Sequence, residues 1–178
     1  MLYTGKGDTG TTQMFGCDQQ RISKSSELPE ALGALDELNA FVGFTKMRSV
    51  QSAPRIAEVL REVQETLFVI QAEMAGSDKK VSDGVVAHVE ELINAIEKEI
   101  PPLKGFSIAG GTELSAMLDV ARTLARSAER RIIAVKEAGL REPPAFTMAY
   151  MNRLSSLLFA LARLANHLAG VPEENPRY

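Results

Sequence analysis

Residues 3–13 read Tyr3-Thr4-Gly5-Lys6-Gly7-Asp8-Thr9-Gly10-Thr11-Thr12-Gln13, and within them Gly5 to Gly10 satisfies the pattern G-x-G-x-x-G. A dinucleotide-binding βαβ unit needs more than this pattern: a buried strand before it, a helix directly after it, and an acidic residue about 20 positions on. Here four residues precede Gly5, and polar Asp18-Gln19-Gln20-Arg21 stands where the helix should be. A doubly wound α/β fold is therefore not expected. Walker A is excluded too, because Lys6 does not occupy its place in G-x-x-x-x-G-K-[ST]. Three glycines, Lys6 and the hydroxyls of Thr4, Thr9, Thr11 and Thr12 nevertheless make a segment dense in backbone N–H groups. Such a segment suits an anion held in backbone nests. The plainer alternative is a disordered amino terminus, the usual fate of Gly- and Thr-rich ends.

From about residue 28 onward the apolar residues recur at helical spacing. Pro29 suits the first turn of a helix running to about Arg48, with Leu32, Leu35, Leu38, Phe41, Val42 and Met47 as its stripe. Ser52-Ala53-Pro54 opens a second, whose stripe is Ile56, Val59, Leu60, Val63, Leu67, Phe68 and Ile70 and whose end lies near Gly76. A third spans about 82–100 and stops at Pro101-Pro102. A fourth spans 112–138, closed by Gly139, and a fifth opens at Pro143-Pro144 and ends at Gly170. Five long helices on short connections predict an all-α, antiparallel five-helix bundle of the ferritin-like kind. It forms one domain over 1–178, with an extended phosphate-binding segment over 1–27 and the bundle over 28–170.

At 178 residues the chain is long enough to bury its own core, with about 70% of the unfolded chain's surface removed from water on folding. A net charge of -3 argues against a nucleic-acid binder that relies on general positive charge. Cys17 is the one cysteine, which excludes an internal disulfide framework and suits a reducing compartment. The most apolar helical stretch, 154–169, is interrupted by Arg163 and is too short for a bilayer. With no basic-then-apolar leader, the expected location is the cytoplasm, away from membranes.

Two features within the helices ask for a ligand or a partner. Arg122, Arg126 and Arg130 recur at spacings of four and share one face of the fourth helix. Like charges so placed destabilise an isolated helix by a few tenths of a kcal/mol per pair. The row invites carboxylates or an anion, and Glu129 answers part of it; a solvated basic stripe is the alternative. Ala121, Ala125 and Ala128 beside the row would let a backbone or ligand approach. Gly110-Gly111 precede the helix N-terminus, whose exposed N–H groups favour negative charge. Asp36, between Leu35 and Leu38, reads as a buried carboxylate that needs an arginine, either within the bundle or across a subunit contact. Asn152 lies among apolar neighbours and is either a ligand contact or an interhelical hydrogen bond.

Taken together, these segments resemble the PduO-type ATP:cob(I)alamin adenosyltransferases over nearly the whole chain. The similarity rests on Tyr3 to Thr12, on Arg21-Ile22-Ser23-Lys24 and on Glu30-Ala-Leu-Gly-Ala-Leu-Asp-Glu-Leu-Asn39. It continues through Ala109-Gly110-Gly111, Ala121 to Arg131, and Met151-Asn152-Arg153-Leu154-Ser-Ser-Leu-Leu-Phe159. The chain departs from the family pattern at Ser127, where a second arginine is usual, and at Ala109 and Thr9, where proline and lysine are usual. Leu32-Gly33 replaces the usual Tyr-Gly.

The resemblance implies a homotrimer of five-helix bundles with ATP between adjacent subunits. It assigns the triphosphate to Thr4, Gly5, Lys6, Gly7, Asp8, Thr9, Gly10, Thr11, Thr12 and Gln13, with Lys24. It adds Arg126, Ser127, Ala128, Glu129, Arg130 and Asn152 to the ATP site, with Mg2+ carried on the phosphates. Asp36 would pair with Arg122 across the subunit boundary. Phe106 would lie on the lower face of the corrin, helped by Ile108, keeping cobalt free of its lower base; without the resemblance, that apolar loop reads equally as a hydrophobic plug on the bundle end. The implied reaction is attack of cob(I)alamin on C5′ of ATP, yielding adenosylcobalamin and triphosphate. It needs no protein nucleophile, and His88 and His167 sit at ordinary helix positions. Partners implied are a reductase for the cobalt and a client enzyme that uses the product.

Three other readings stay open at this level. One is an ATP-binding enzyme or switch without a corrin site, and another is a non-catalytic helical interaction protein whose arginines meet a partner's carboxylates. A di-metal bundle is disfavoured, since neither His88 nor His167 has a glutamate three positions before it.

Overall fold

The computed structural model describes residues 2–14, 21–103 and 105–177; Cys17 and the polar run 18–20 lie outside them. Five helices follow a short hairpin: α1 (Glu27–Ser49), α2 (Pro54–Ala75), α3 (Asp83–Glu99), α4 (Glu113–Glu137) and α5 (Ala145–Leu168). The hairpin, β1 (Thr11–Gln13) antiparallel to β2 (Arg21–Ser23), sets Thr12 opposite Ile22. It gives the amino-terminal segment an ordered frame, against the expectation of disorder. Three-residue strands are too short to show a period-two pattern in sequence, so helical reading alone passes over them.

Local chemistry sets the helix limits. Pro29 and Pro54 stand in first turns, where a missing N–H removes no intrahelical bond. Thr112 caps α4, its Oγ1 accepting the Ser115 N–H at 3.0 Å. Gly76 ends α2 in the left-handed region, φ 108°, and its N–H reaches the last carbonyls of the helix.

Cross-helix pairs establish direction. Glu30 near the start of α1 meets Arg131 late in α4, and Arg48 at the end of α1 meets Glu113 at the start of α4 at 2.6 Å, so these helices run antiparallel. Arg55 with Glu99 and Glu62 with His88 do the same for α2 and α3. Asn166 of α5 reaches Thr112 of α4, and Asn152 reaches Glu129. The helices therefore alternate up and down. One end of the bundle carries the amino-terminal hairpin and the connections 76–82 and 138–144. The opposite end carries 50–53, 100–112 and the segment after α5.

The core lies where α4 packs against α1 and α5, α1 against α2, and α3 against α5. Leu35, Leu38, Ile56, Leu60, Leu67, Ile70, Leu118, Ile132 and Met151 are fully buried in it. So is Tyr150, whose phenol is pushed well above its ordinary value by burial, against a lowering hydrogen bond to Thr66. Near the hairpin end, Thr147 donates to the buried carboxylate of Glu73, pinning the start of α5 to α2. Two residues of the expected stripes face outward instead: Met47 is 68% and Phe68 63% exposed. Each sits at helical spacing but on a side of its helix that no helix of the same chain covers.

Leu38 has no exposed surface and sits in the middle of α1. Leu38→Ala should lower unfolding free energy by about 2–5 kcal/mol, seen as a reduced urea midpoint with an unchanged slope.

Candidate functional site

The glycine-rich segment folds as a turn held by Arg21. Its guanidinium donates to the carbonyls of Lys6 at 2.5 Å and Thr11 at 2.7 Å, and to Thr11 Oγ1 at 2.8 Å. Turn bonds from Asp8 N to Gly5 O and from Gly10 N to Gly7 O close the loop, and Lys24 N donates to Gly10 O at 2.9 Å. A Cβ at Gly7 would lie 2.9 Å from Lys24 Nζ, so a bare backbone at this point lets the ammonium lie over the loop. Lys6 and Lys24 are exposed and form no ion pair among the described residues. The result is a loop flanked by two cations without ion-pair partners among the described residues, one of which, Lys24, stands three residues before α1 begins.

Along α4 the arginine row separates into two kinds. Arg122 is partly buried and pairs with Asp119 at 3.3 Å, while Asp119, nearly buried, also accepts the Gly110 N–H at 3.2 Å. Arg126 and Arg130 are exposed, with no ion pair or side-chain hydrogen bond among the described residues. Glu129 answers no arginine; it accepts from Asn152 Nδ2 at 3.2 Å, while Asn152 Oδ1 accepts from Arg153 at 2.7 Å. Ser127 is half-buried between them.

Several expectations are corrected. Ala121, Ala125 and Ala128 have no exposed surface: they let α1 and α5 approach α4 and are closed to a ligand. Asp36 is exposed, because Gly33, Asp36 and Ala40 form the outward side of α1, and it has no arginine partner among the described residues. Asn152 is also exposed, so its bond across to Glu129 is a surface one. The N-terminus of α4 is engaged in part within the chain, while Thr112, Glu113 and Leu114 also line a cleft of about 420 Å³ with Arg48. Asn166 Oδ1 accepts from Thr112 N at 2.9 Å and Thr112 Oγ1 at 3.1 Å, and its Nδ2 donates to Gly110 O at 2.7 Å. Gly111, φ 106°, sits so tightly on Asn166 that a Cβ would lie 2.7 Å from its amide.

Phe106 and Ile108 lie at the opposite end of the bundle from the glycine-rich turn. They are 78% and 51% exposed, so they plug nothing in this chain. A cleft of about 460 Å³ lies near them, between Pro101, Pro102, Arg163 and His167 on the bundle and Val171 to Asn175 on the carboxy-terminal segment.

This architecture, with its bound-up hairpin and outward arginines, can be set against known proteins. Residues 2–165 match the family model for cobalamin adenosyltransferase. The chain belongs to the cobalamin adenosyltransferase family. It is 37% identical over 174 residues to the corrinoid adenosyltransferase PduO of Citrobacter freundii, covering 93% of this chain and 50% of that protein. It therefore spans half the length of that relative. The corrinoid adenosyltransferase of Bacillus subtilis is 34% identical over 177 residues, covering 96% of this chain and 89% of its own length. A phenylalanine-to-histidine variant of the PduO-type ATP:corrinoid adenosyltransferase from Lactobacillus reuteri, complexed with cobalamin and ATP, matches with a TM-score of 0.93. That match has 32% identity over 99% of this chain and 97% of the other.

Within the adenosyltransferase fold, three residues that organise the candidate site escape a reading by segment. Arg21 stands in a quoted stretch, yet its bonds to Lys6 and Thr11 span ten to fifteen positions. Asp119 and Asn166 come from different helices and meet only at the Gly110–Thr112 turn. A polar residue on the inner side of α4 or α5 is the one signal they leave in the sequence. No helix among the described residues is long and apolar enough to cross a membrane.

Asp119→Ala would strip Arg122 of its in-chain partner and leave the Gly110 N–H without an acceptor. A loss of about 1–3 kcal/mol in urea unfolding is expected.

Proposed function

We infer that this chain transfers the 5′-deoxyadenosyl group of ATP to the cobalt of a reduced corrinoid and releases triphosphate. The observation that carries the inference is the pair of unneutralised arginines, Arg126 and Arg130, on a bundle whose solved relatives are described as complexed with cobalamin and ATP. The cobalt of cob(I)alamin supplies an electron pair to C5′, the cobalt–carbon bond forms, the C5′–oxygen bond breaks, and its electrons leave on the triphosphate. No proton moves in that step, so no general base is required. The protein has to position the two substrates and to place positive charge where the leaving group gathers negative charge.

Arg126 and Arg130, with Lys6, Lys24 and the amides of Gly5 to Gln13, supply that charge. Asn152 and Glu129, already bonded to one another, would meet the nucleoside end. Mg2+ would ride on the phosphates. It screens phosphate charge. Phe106 and Ile108, exposed and apolar, are placed to cover one face of the corrin and keep water from the cobalt.

The layout of one chain favours a shared site. The glycine-rich turn and the Phe106 loop sit at opposite ends of α1, a helix of 23 residues, or about 35 Å at 1.5 Å per residue. A nucleotide cannot bridge that span, whereas a second copy can bring its own loop. Exposed Phe44 and Met47 on α1, with Val50 just past its end, give such a copy an apolar face to cover. Asp36 shares that outward side and would meet Arg122 of a neighbour, in a homotrimer with three such sites. Reduced cobalt suits the cytoplasm, where a reductase can supply the electron and a client enzyme can take up the product.

In an anaerobic assay with ATP and chemically reduced cobalamin, the protein should generate a light-sensitive alkylcobalamin spectrum. Arg126→Ala should lower turnover by about 100-fold or more with the circular dichroism spectrum retained. A rate equal to wild type would remove the arginine row from the mechanism. For Asp36→Asn and Arg122→Ala, a double-mutant cycle on turnover or assembly should show coupling above about 0.5 kcal/mol, and strict additivity would rule the pair out.

A further inference from the structure

The loop that carries Phe106 presents Phe106 and Ile108 to solvent and bonds to the carboxy-terminal segment through its backbone. Ile108 N donates to Glu174 O at 2.8 Å, and Asn175 Nδ2 donates to the carbonyl of Phe106 at 2.8 Å. Asn175 also packs on the same loop at Gly105, where an added Cβ would stand 3.4 Å from its amide nitrogen. These partners lie beyond the end of α5, in a segment with no helix or strand of its own. An irregular segment holds another in place only if it is anchored.

The anchor is Arg163. Its side chain is 11% exposed, its Nε and Nη2 both engage the carboxylate of Glu173, and Nη2 also donates to Pro101 O at 2.7 Å. One guanidinium on a rigid helix thus ties the carboxy-terminal segment to the stretch that leads into the loop. At the far side of the loop, Asn166, one position short of a full helical turn further along α5, holds Gly110 and Thr112. Between those two supports, the bonds to Glu174 and Asn175 are what fix the middle. A large exposed apolar side chain on an otherwise unbonded loop would sample many positions, since such segments open at little free-energy cost.

We propose that Glu173 and Asn175, anchored through Arg163, are positioning residues that hold Phe106 and Ile108 in the orientation needed against the corrin. The proposal rests on the role given to Phe106 above. None of the three need touch substrate: they act on the loop through its main chain. Displacement of about 1 Å at a reacting centre can lower a rate by about 100-fold.

The test uses the full-length protein with Glu173→Gln combined with Asn175→Ala, and separately Asn175→Asp, which keeps the volume of the side chain and removes its N–H donor. Substitution of the near-buried Arg163 is avoided because it would also disturb the bundle end. Exchange of the Ile108 amide should accelerate about tenfold or more in the double variant. At saturating ATP, kcat should fall between about tenfold and 100-fold with KM for ATP unchanged. Asn175→Asp should share the fall in kcat. Unchanged Ile108 exchange, or faster exchange with wild-type kcat, would overturn the proposal. A wild-type protein that forms no alkylcobalamin would instead overturn the assigned reaction, and the catalytic half of this proposal with it; the exchange measurement would still decide whether the segment holds the loop.

Discussion

Close packing along α4 is the constraint on which the rest depends. Ala121, Ala125, Ala128 and Ile132 repeat at three and four residues and are sealed between α1 and α5. Small side chains let the helix axes approach, so dispersion contacts are gained along the full length of the helix. Because that side is committed to the core, the positions offset from it by one or two residues must face out. Arg126 and Arg130 are therefore exposed by the packing itself and have no ion pair among the described residues, where a looser helix could turn them towards internal carboxylates. Arg122, nearer the inner side, finds Asp119 instead. One helix thus builds the core with one face and offers charge with the other.

The two ends of the bundle are then given different work. At one, Arg21 gathers the carbonyls of the glycine-rich turn, which leaves the lysines of that turn and of β2's end projecting. At the other, polar side chains of α4 and α5 are spent on the backbone of the turn before α4: Asp119 on Gly110, Asn166 on Gly110 and Thr112. Those bonds occupy part of the backbone before α4, while the side-chain cations of α4 and of the amino-terminal loop stay exposed. That division, together with the length of α1, is what supports the proposed site shared between copies.

Much of this was legible from residues alone. Helix limits followed from Pro29, Pro54, Gly76 and Gly170, whose backbone restrictions act within a turn of the chain. The arginine row was legible because a spacing of four is a face on any helix. Where the reading went astray, linear neighbourhood had stood in for helical direction. Asp36 sits beside Leu35 yet points about 100° away from it, and Asn152 sits beside Met151 in the same relation. Met47 and Phe68 obey the helical period but fall at the edge of their stripes, where burial depends on whether another helix lies there.

What the sequence determined by itself was an all-helical chain, the faces of its helices, and a family pattern that points to ATP and a corrinoid. Each of these is encoded in local dihedral preference or in spacing along a single element. The tertiary structure decided which residues close the turn before α4, that Arg21 organises the glycine loop, and that the segment after α5 braces Phe106. Those contacts join residues from nine to about seventy positions apart. No local preference encodes them, because they exist only once the helices have packed and brought distant polar groups within bonding distance.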